Sequence, residues 1–361
     1  MLNRVGGEGS GAGNGAVIKV SPHQLRSHPG SLVGHGGPNV EVARYPAALK
    51  SQRRWTVDAV RQERATEAAS VGVLRAYIAV TKPRIIELLL VTSIPTMILA
   101  AQGLPNWRIA LGVLLGGSLA AAGANTFNSV YDADIDALMQ RTDNRPVATG
   151  AISQRAGMTY AFVLSIASLA VLSLLTNWLA AFLAALAIVF YALGYTVILK
   201  RRTSQNIVWG GAAGCMPVLI GWAAVTGSLS LTPFVLFLIV FWWTPPHYWP
   251  LAIKYREDYE AASVPMLPVV APPANVARQI LLYSWVMVLT SLALVPVAAM
   301  GVLYTVVAVV AGAVFLWQAH ALARRLRHGI EPLRAMTLFH YSITYLAVVF
   351  LAVAVDPFLP L

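Results

Sequence analysis

The chain has 361 residues, of which 57% are apolar and only 11% are charged, and its mean hydropathy is +0.65. Because soluble domains carry roughly 25% charged residues, this composition predicts an integral membrane protein with little sequence left for a second, soluble domain. The net charge of +11 indicates basic loops at an anionic membrane surface. Nucleic-acid binding is not expected, since no basic stripe is interleaved with aromatic residues.

Residues 1–72 are rich in Gly, Pro, Ser and Arg and show no sustained apolar periodicity. Such a segment buries too little apolar surface to fold, so we predict a disordered cytoplasmic tail ahead of a membrane domain at 73–361. No apolar segment with a small-residue cleavage site is visible, so no secretory signal peptide is predicted. The arginines resemble an organellar transit peptide only weakly, because acidic residues interrupt them.

Nine apolar runs beyond Val73 are long enough to cross ~30 Å of hydrocarbon. They predict an all-α, polytopic membrane protein with about nine transmembrane helices, although the close spacing of some runs leaves eight or ten open. The runs lie near 84–103, 107–130, 157–175, 177–199, 207–226, 231–250, 279–299, 301–320 and 337–358.

The loops that follow the second, fourth, sixth and eighth runs hold most of the Lys and Arg residues, whereas the opposite loops hold almost only Arg108. Since basic loops stay in the cytoplasm, this asymmetry predicts a cytoplasmic N-terminus. It also places every polar motif on the same side of the membrane.

The most informative motif is "NSVYDADIDALMQR", where the second run ends. In a helix, Asn128, Asp132 and Asp136 stand at i, i+4 and i+8 and share one face. Each step climbs ~6 Å, which sets the two carboxylates side by side, and like charges at that distance require a cation. Magnesium, which binds one or two carboxylates together with phosphate oxygens, is the predicted ligand. The alternative is a solvated acidic loop that ends a membrane helix.

Basic residues follow this motif at Arg141 and Arg145, and again at Lys200 and Arg201 after Tyr195. Guanidinium groups bind phosphate oxygens through paired hydrogen bonds, so these side chains are candidate diphosphate ligands. The alternatives are anchoring by positive loops and a snorkelling cluster at a helix end.

The sixth run ends in "WWTPPHYWPLAIKYREDY". Its residues Pro245, Pro246 and Pro250 predict a helix break near membrane depth, as is tolerated where the backbone lines a cavity. His247 is either a hydrogen-bonded member of an interfacial aromatic belt or a contact of a large flat substrate or its metal. Lys254 and Asp258, at i and i+4, form either a helical ion pair or a second magnesium and phosphate site.

Glu87 lies inside the first run, and intramembrane carboxylates face the protein interior. Its expected partner is Arg84 or Lys82. Arg84 is also a candidate substrate contact.

Four stretches in this order resemble the UbiA superfamily of intramembrane prenyltransferases, and most closely its protohaem IX farnesyltransferase (haem O synthase) branch in bacterial, actinobacterial-like form. The resemblance covers roughly 76–361. The stretches are "VTKPRIIELLLVTSIPTMILAA", "AAGANTFNSVYDADIDALMQRTDNRPVATG", "YTVILKRRTSQNIVWGGAAGCMPVLIGW" and "WTPPHYWPLAIKYREDYEAASVPMLPVV".

The resemblance implies helices around a central cavity, with Asn128, Asp132 and Asp136 as the first aspartate-rich motif that holds Mg²⁺ and the prenyl diphosphate. Tyr195 and Lys200 match the Tyr/Lys motif that contacts the diphosphate. The second motif keeps Asp258 but has alanine where quinone-making relatives have another aspartate. This departure favours the haem branch and leaves the ligands of a second Mg²⁺ open.

The implied activity is transfer of farnesyl from farnesyl diphosphate to a vinyl group of haem b, with water, so haem b is a substrate rather than a cofactor. The alternatives are a UbiA-type enzyme with an aromatic quinone-precursor acceptor and a membrane transporter. The implied location is the lipid bilayer of the bacterial plasma membrane, or alternatively the mitochondrial inner membrane. A downstream haem A synthase or a terminal oxidase is an implied partner.

Overall fold

The structure is a computed structural model that describes residues 72–359, apart from the side chains of residues 84, 85 and 87–90. Within that range every regular element is a helix and no strand occurs, which confirms the predicted all-α class. The predicted tail, except Gly72, lies outside the described residues, and so do the side chains of Arg84 and Glu87.

Nine helical segments of 19 or more residues occur in the described part of the chain, and seven of them have the length and apolar composition needed to cross a membrane. The other two, Pro83–Ala101 and Leu231–Lys254, contain prolines and polar residues. The second continues as a helix through Pro245, Pro246 and Pro250, so the predicted break at these prolines is wrong. The helices are α1 Val73–Val80, α2 Pro83–Ala101, α3 Trp107–Tyr131, α4 Ala133–Asp136, α5 Gln154–Leu175, α6 Trp178–Val189, α7 Asn206–Thr226, α8 Leu231–Lys254, α9 Arg256–Ala261, α10 Leu267–Val270, α11 Pro273–Ala298, α12 Val302–His328 and α13 Ala335–Val355.

Local sequence signals set several helix ends. The side chains of Asn106, Ser153 and Asn177 accept hydrogen bonds from backbone N–H groups in the first turns of α3, α5 and α6, as N-caps do. Gly227 and Gly329 end α7 and α12 with positive φ angles of 67° and 62°, a conformation that glycine adopts without strain.

The helix α6 continues without interruption as a π-helix over Phe190–Leu199. A π-helix is rare and often marks a functional site. Here it carries Tyr195 and Thr196 and ends directly before Lys200, so the wider backbone turns bring the Tyr/Lys motif towards the end of α3.

Small residues let α3 and α5 pack closely. A Cβ added to Gly112, Gly116 or Gly123 of α3 would lie 2.5–2.7 Å from side-chain atoms of α5. Close helix contact through glycine is typical of membrane bundles, where burial of apolar surface gives little driving force between helices.

Candidate active site

Asn128, Asp132 and Asp136, here called the acid cluster, lie where α3 ends. Their exposed fractions are 4%, 0% and 1%, so the alternative of a solvated acidic loop is wrong. Asp132 interrupts the α-helix with φ −87° and ψ 5°. Even so, its N–H donates to Asn128 O (2.9 Å), and Asp136 N–H donates to Asp132 O (2.8 Å), so the chain keeps a helical register through the cluster.

Asn128 connects three elements. Its Nδ2 donates to Asp132 Oδ2 at 2.6 Å and to Thr196 Oγ1 of the π-helix at 3.2 Å. Its Oδ1 accepts from Lys82 Nζ at 2.6 Å. Because acceptors surround Nδ2 and a cation faces Oδ1, the network fixes the orientation of the amide.

Asp132 is paired with cations from the segment that follows the π-helix. Lys200 Nζ donates to Asp132 Oδ2, and Arg201 Nη2 lies 3.5 Å from Oδ1. That separation gives Oδ1 an ionic contact but no hydrogen bond within the described structure. A buried ion pair is stable only when its geometry is good and further hydrogen bonds satisfy its remaining polar atoms. Asp132 Oδ1 therefore has a lone pair available for another ligand.

Asp136 is held by the loop that follows it. Arg145 Nη1 lies 2.8 Å from Asp136 Oδ1 and 2.6 Å from Oδ2, and the Thr142 hydroxyl donates to the Asp136 carbonyl at 3.1 Å. The predicted phosphate ligand Arg145 therefore stands beside the acid cluster, where it neutralises one of the two carboxylates.

Arg201 reaches the surface side of the cluster. It donates to both carboxylate oxygens of Asp134 at 2.7 and 2.8 Å, and its guanidinium lies 5.0 Å from the Tyr131 ring centre. Burial acts to raise the pKa of Asp134, but hydrogen bonds and charge from Arg201 outweigh it, so that pKa is lowered. Arg201 therefore links an exposed carboxylate to the buried Asp132.

The sequence analysis missed Lys82 as a member of the site. Its side chain contacts Asn128, and its backbone has a left-handed φ of 56° at the start of α2. Burial, followed by the charge of Arg145, holds the pKa of Lys82 well below its usual value. A signal was present, because Lys82 precedes a proline at the mouth of the first span, on the side where the acid motif was predicted.

A second group of contacts near the acid cluster involves α9 and the loop that carries Arg141. The Arg141 backbone N–H donates to Asp258 Oδ2 at 3.3 Å, and Arg141 Nη2 donates to Tyr259 OH at 3.3 Å. Tyr259 OH in turn lies 3.0 Å from Tyr248 OH. Asp258 thus supports the loop that carries Arg141, and its role as a metal ligand stays a prediction.

Lys254 takes no part in these contacts. It is exposed, and its Nζ lies 5.3 Å from the Tyr255 ring centre. The helical ion pair with Asp258 is not formed among the described residues, because α8 ends at Lys254 and a new helix starts at Arg256. The interrupted helix removes the i, i+4 geometry on which that alternative depended.

An apolar cavity of about 130 Å³ adjoins the acid cluster, between α2, α3, α6, its π-helix extension and α7. Asn125, one helical turn before Asn128, and Tyr191 of the π-helix both line it. Tyr191 is joined to the cluster through Thr196, whose hydroxyl donates to Tyr191 O at 2.9 Å. The predicted ligand Tyr195 lies next to Tyr191, with ring centres 5.4 Å apart.

His247 lies in a different part of the bundle, between the rings of Trp243 (4.1 Å) and Phe339 (4.8 Å). Ser342 Oγ donates its hydrogen to Phe339 O at 2.6 Å, so it accepts the hydrogen of His247 Nδ1 at 2.6 Å. The network therefore assigns the proton to Nδ1 and leaves the lone pair of Nε2 free. The hydrogen-bonded histidine of the sequence analysis is confirmed, and substrate contact stays a prediction.

The acid cluster suits a hard cation. No group of three or more His, Cys, Asp or Glu residues with metal-binding geometry occurs between residues 72 and 359. Magnesium needs no such group, because it keeps water and substrate phosphate oxygens beside one or two carboxylates. The buried Asp132 Oδ1 without a hydrogen-bond partner supplies the kind of oxygen that this ion prefers.

Comparisons with known proteins give relatives of this chain in sequence and in fold. A protein named protoheme IX farnesyltransferase from Leifsonia xyli subsp. xyli is 54% identical over 309 residues, which cover 84% of this chain and all of that protein. A structure of a digeranylgeranylglyceryl phosphate synthase has a TM-score of 0.66 at 18% identity and covers 79% of this chain and 98% of its own.

A UbiA homologue from Archaeoglobus fulgidus, solved with DMAPP and Mg²⁺, has a TM-score of 0.56 at 17% identity and covers 77% of this chain and 99% of its own. At such identities the structures establish the fold alone. The sequence model of the UbiA prenyltransferase family matches residues 89–354. The chain therefore belongs to the UbiA prenyltransferase family.

Proposed function

We propose that this protein transfers the farnesyl group of farnesyl diphosphate to a vinyl group of haem b, with addition of water and release of diphosphate. The observation that carries the proposal is the convergence of Lys82, Arg145 and Lys200 on the acid cluster beside an apolar cavity. The 54% identical relative named protoheme IX farnesyltransferase supports this choice of donor and acceptor.

The charges of the site suit an anionic leaving group. Arg145 and Lys200 face the two carboxylates of the acid cluster, and Lys82 adds a third basic group whose protonation makes the site net positive. An anion bound there favours the charged form of Lys82 and opposes the effect of burial on its pKa. Arg145 and Lys200 stabilise the negative charge that grows on the departing diphosphate. Electrostatic stabilisation of this kind is the largest contribution to the rate enhancement of many enzymes.

Asn128, Asp132 and Asp136 supply the oxygens for magnesium, which when bound neutralises charge on the diphosphate and orients it. The Archaeoglobus homologue was solved with Mg²⁺, which supports magnesium as the ion. Asp258 reaches the same region through Arg141 and is the candidate for a second ion.

The reaction needs no protein nucleophile. The C1–O bond of farnesyl diphosphate breaks and its electron pair leaves with the diphosphate. The vinyl group of haem attacks C1, the resulting cation on haem accepts the oxygen of water, and one proton is released. The apolar cavity keeps water from the allylic cation, and Tyr191 places an aromatic ring there, which stabilises a cation through its π-face.

His247 is the candidate contact for the haem iron. Its Nδ1 is committed to Ser342, and iron-ligating histidines donate the other ring N–H in this way. The free Nε2 of a neutral imidazole is the form that binds a metal. Trp243 and Phe339 hold the ring in one orientation from both faces.

The protein acts in the lipid bilayer, and we place it in a bacterial plasma membrane with a cytoplasmic N-terminus. The basic loops next to the acid cluster and the bacterial source of the similar relative support this orientation and location. A haem-oxidising enzyme such as haem A synthase, or a terminal oxidase, would receive the product.

The test is incubation of the purified chain with haem b, farnesyl diphosphate and Mg²⁺, followed by mass analysis. The expected product has the mass of haem b plus one farnesyl group and one hydroxyl group. If an aromatic quinone precursor is prenylated and haem b is unchanged, the proposal is wrong and the acceptor is the aromatic compound. Flux of an unmodified solute through reconstituted vesicles, without any prenylated product, would indicate a transporter.

A further inference from the structure

The residues that line the apolar cavity lie at increasing depths below the acid cluster. Along α3 its lining residues include Asn125 nearest the cluster, then Gly117 and then Val113. With a rise of about 1.5 Å per residue, Gly117 lies about 12 Å and Val113 about 18 Å below Asn125. Val113 is 1% exposed, and Ile220 of α7, which lines the same end, is 4% exposed. They are the lining residues farthest from the acid cluster on α3 and α7, and we take them as the floor of the cavity.

Gly117 differs from the other glycines of α3. A Cβ added to Gly112 or Gly116 would overlap with side chains of α5, at 2.7 and 2.6 Å. A Cβ added to Gly117 would meet no heavy atom within 4 Å, and the same holds for Gly214 on α7. Both Gly117 and Gly214 line the cavity, so the absence of their side chains contributes to its empty space rather than to helix packing.

The depth of the cavity corresponds to a particular isoprenoid length. The farnesyl group has a twelve-carbon backbone, which extends over about 14 Å with carbon–carbon bonds of about 1.5 Å. A chain that starts at the level of Asn125 therefore passes Gly117 and ends before Val113. A geranyl group ends above Gly117, and a geranylgeranyl group, one isoprene unit longer, reaches the level of Val113.

We propose that Gly117 and Gly214 keep open the space for the third isoprene unit, while Val113 and Ile220 exclude a fourth, so that this cavity selects the fifteen-carbon diphosphate. The inference rests on the proposed function, because it assumes that the cavity holds the prenyl chain of the donor. It concerns the selection of chain length and does not depend on the identity of the acceptor.

The experiment compares the wild-type chain with Gly117→Leu and Gly214→Leu, which add bulk from opposite walls, and with Val113→Ala, which removes bulk from the floor. Affinities for geranyl, farnesyl and geranylgeranyl diphosphate are measured without haem, and products are then measured with haem b. One extra or missing methylene group in an apolar pocket changes specificity about 10- to 200-fold.

Each leucine variant is expected to lower the preference for farnesyl over geranyl diphosphate by about 10- to 200-fold while geranyl binding and transfer persist. Retained geranyl binding shows that the variant is folded. Val113→Ala is expected to raise the affinity for geranylgeranyl diphosphate. Leu115→Phe, on the exposed face of α3, adds bulk outside the cavity and is the matched control, with an unchanged preference.

Equal losses for the ten- and fifteen-carbon donors, or an unchanged preference in both leucine variants, would overturn the proposal. Failure of the proposed function gives a different result. In that case the wild-type chain still binds the three diphosphates with the expected order and the leucine variants still shift it, but no haem product forms.

Discussion

Lys82 Nζ lies 2.6 Å from Asn128 Oδ1, although 46 residues separate the two in the sequence. The contact joins the start of α2 to the end of α3 and brings a cation into the acid cluster from outside the motif. Because the Asn128 amide also donates to Asp132, the same contact orients one carboxylate. Lys82 therefore affects both the charge and the geometry of the site.

Replacing Lys82 with methionine is expected to lower kcat/KM for farnesyl diphosphate by about 100- to 1,000-fold. Loss of a single group that stabilises charge in the transition state typically has an effect of this size. Lys82→Arg keeps the charge and should recover part of the activity. Turnover is measured at saturating haem b. Arg155→Gln removes an exposed cation near the start of α5 and serves as the control. Equal activity of Lys82→Met and the control would exclude Lys82 from catalysis.

The sequence predicted the helices well because long apolar runs have few stable alternatives in a bilayer. Each predicted run overlaps one of the nine long helices. The run over 177–199, for example, corresponds to α6 and its π-helix. Helical spacing also predicted that Asn128 and Asp132 share a face, and the Asn128–Asp132 hydrogen bond agrees with this.

Contacts between distant segments were less predictable. Lys200 reaches Asp132 across 68 residues, and this pairing depends on a π-helix that the apolar pattern does not indicate. The helix break at Tyr255, which separates Lys254 from Asp258, was missed for a related reason. No glycine or proline stands next to Tyr255 to indicate a helix end. The spacing of Lys254 and Asp258 alone therefore suggested one continuous helix.

Asp132→Asn and Asp134→Asn form a matched pair of variants two residues apart. Asp132 is fully buried within the acid cluster, whereas the side chain of Asp134 is 61% exposed. We expect Asp132→Asn to lower kcat by at least about 100-fold and Asp134→Asn to change it less than about threefold, since exposed ion pairs contribute little. The product is measured by mass under saturating substrates. Comparable losses in both variants would contradict a specific role for Asp132.

Arg145 and Asp136 allow a double-mutant cycle. Arg145→Met leaves a carboxylate that is 2% exposed without its partner, and loss of one member of a buried pair costs about 3–5 kcal/mol. The double variant Arg145→Met with Asp136→Asn removes both charges and should recover most of the lost free energy of unfolding. Unfolding is followed by denaturant titration in detergent micelles.

Activity in the same cycle is expected to behave differently. If Arg145 binds the diphosphate and Asp136 binds the metal, the double variant stays inactive even though its stability returns. Recovery of both stability and turnover would reduce the pair to a structural role. The two measurements therefore separate packing from catalysis at this position.

Removal of divalent cations is expected to stop turnover without unfolding the protein. The acid cluster already has cationic partners in Lys200 and Arg145, so its charges are compensated when metal is absent. A chelator should reduce product formation by at least about 100-fold, and added Mg²⁺ should restore it. The melting temperature should shift by only a few degrees. Full turnover in excess chelator would contradict the metal assignment.

His247 and Ser342 provide a test of haem contact that does not depend on turnover. If His247 Nε2 ligates the haem iron, His247→Gln should weaken haem binding and change the Soret band, while farnesyl diphosphate affinity stays the same. Ser342→Ala removes the acceptor that fixes the proton on Nδ1, so it should weaken haem binding by about 10- to 100-fold, as loss of a second hydrogen-bonding partner does at metal sites. Haem titrations followed by absorbance give both values. An unchanged Soret band in His247→Gln would show that the imidazole only packs between Trp243 and Phe339.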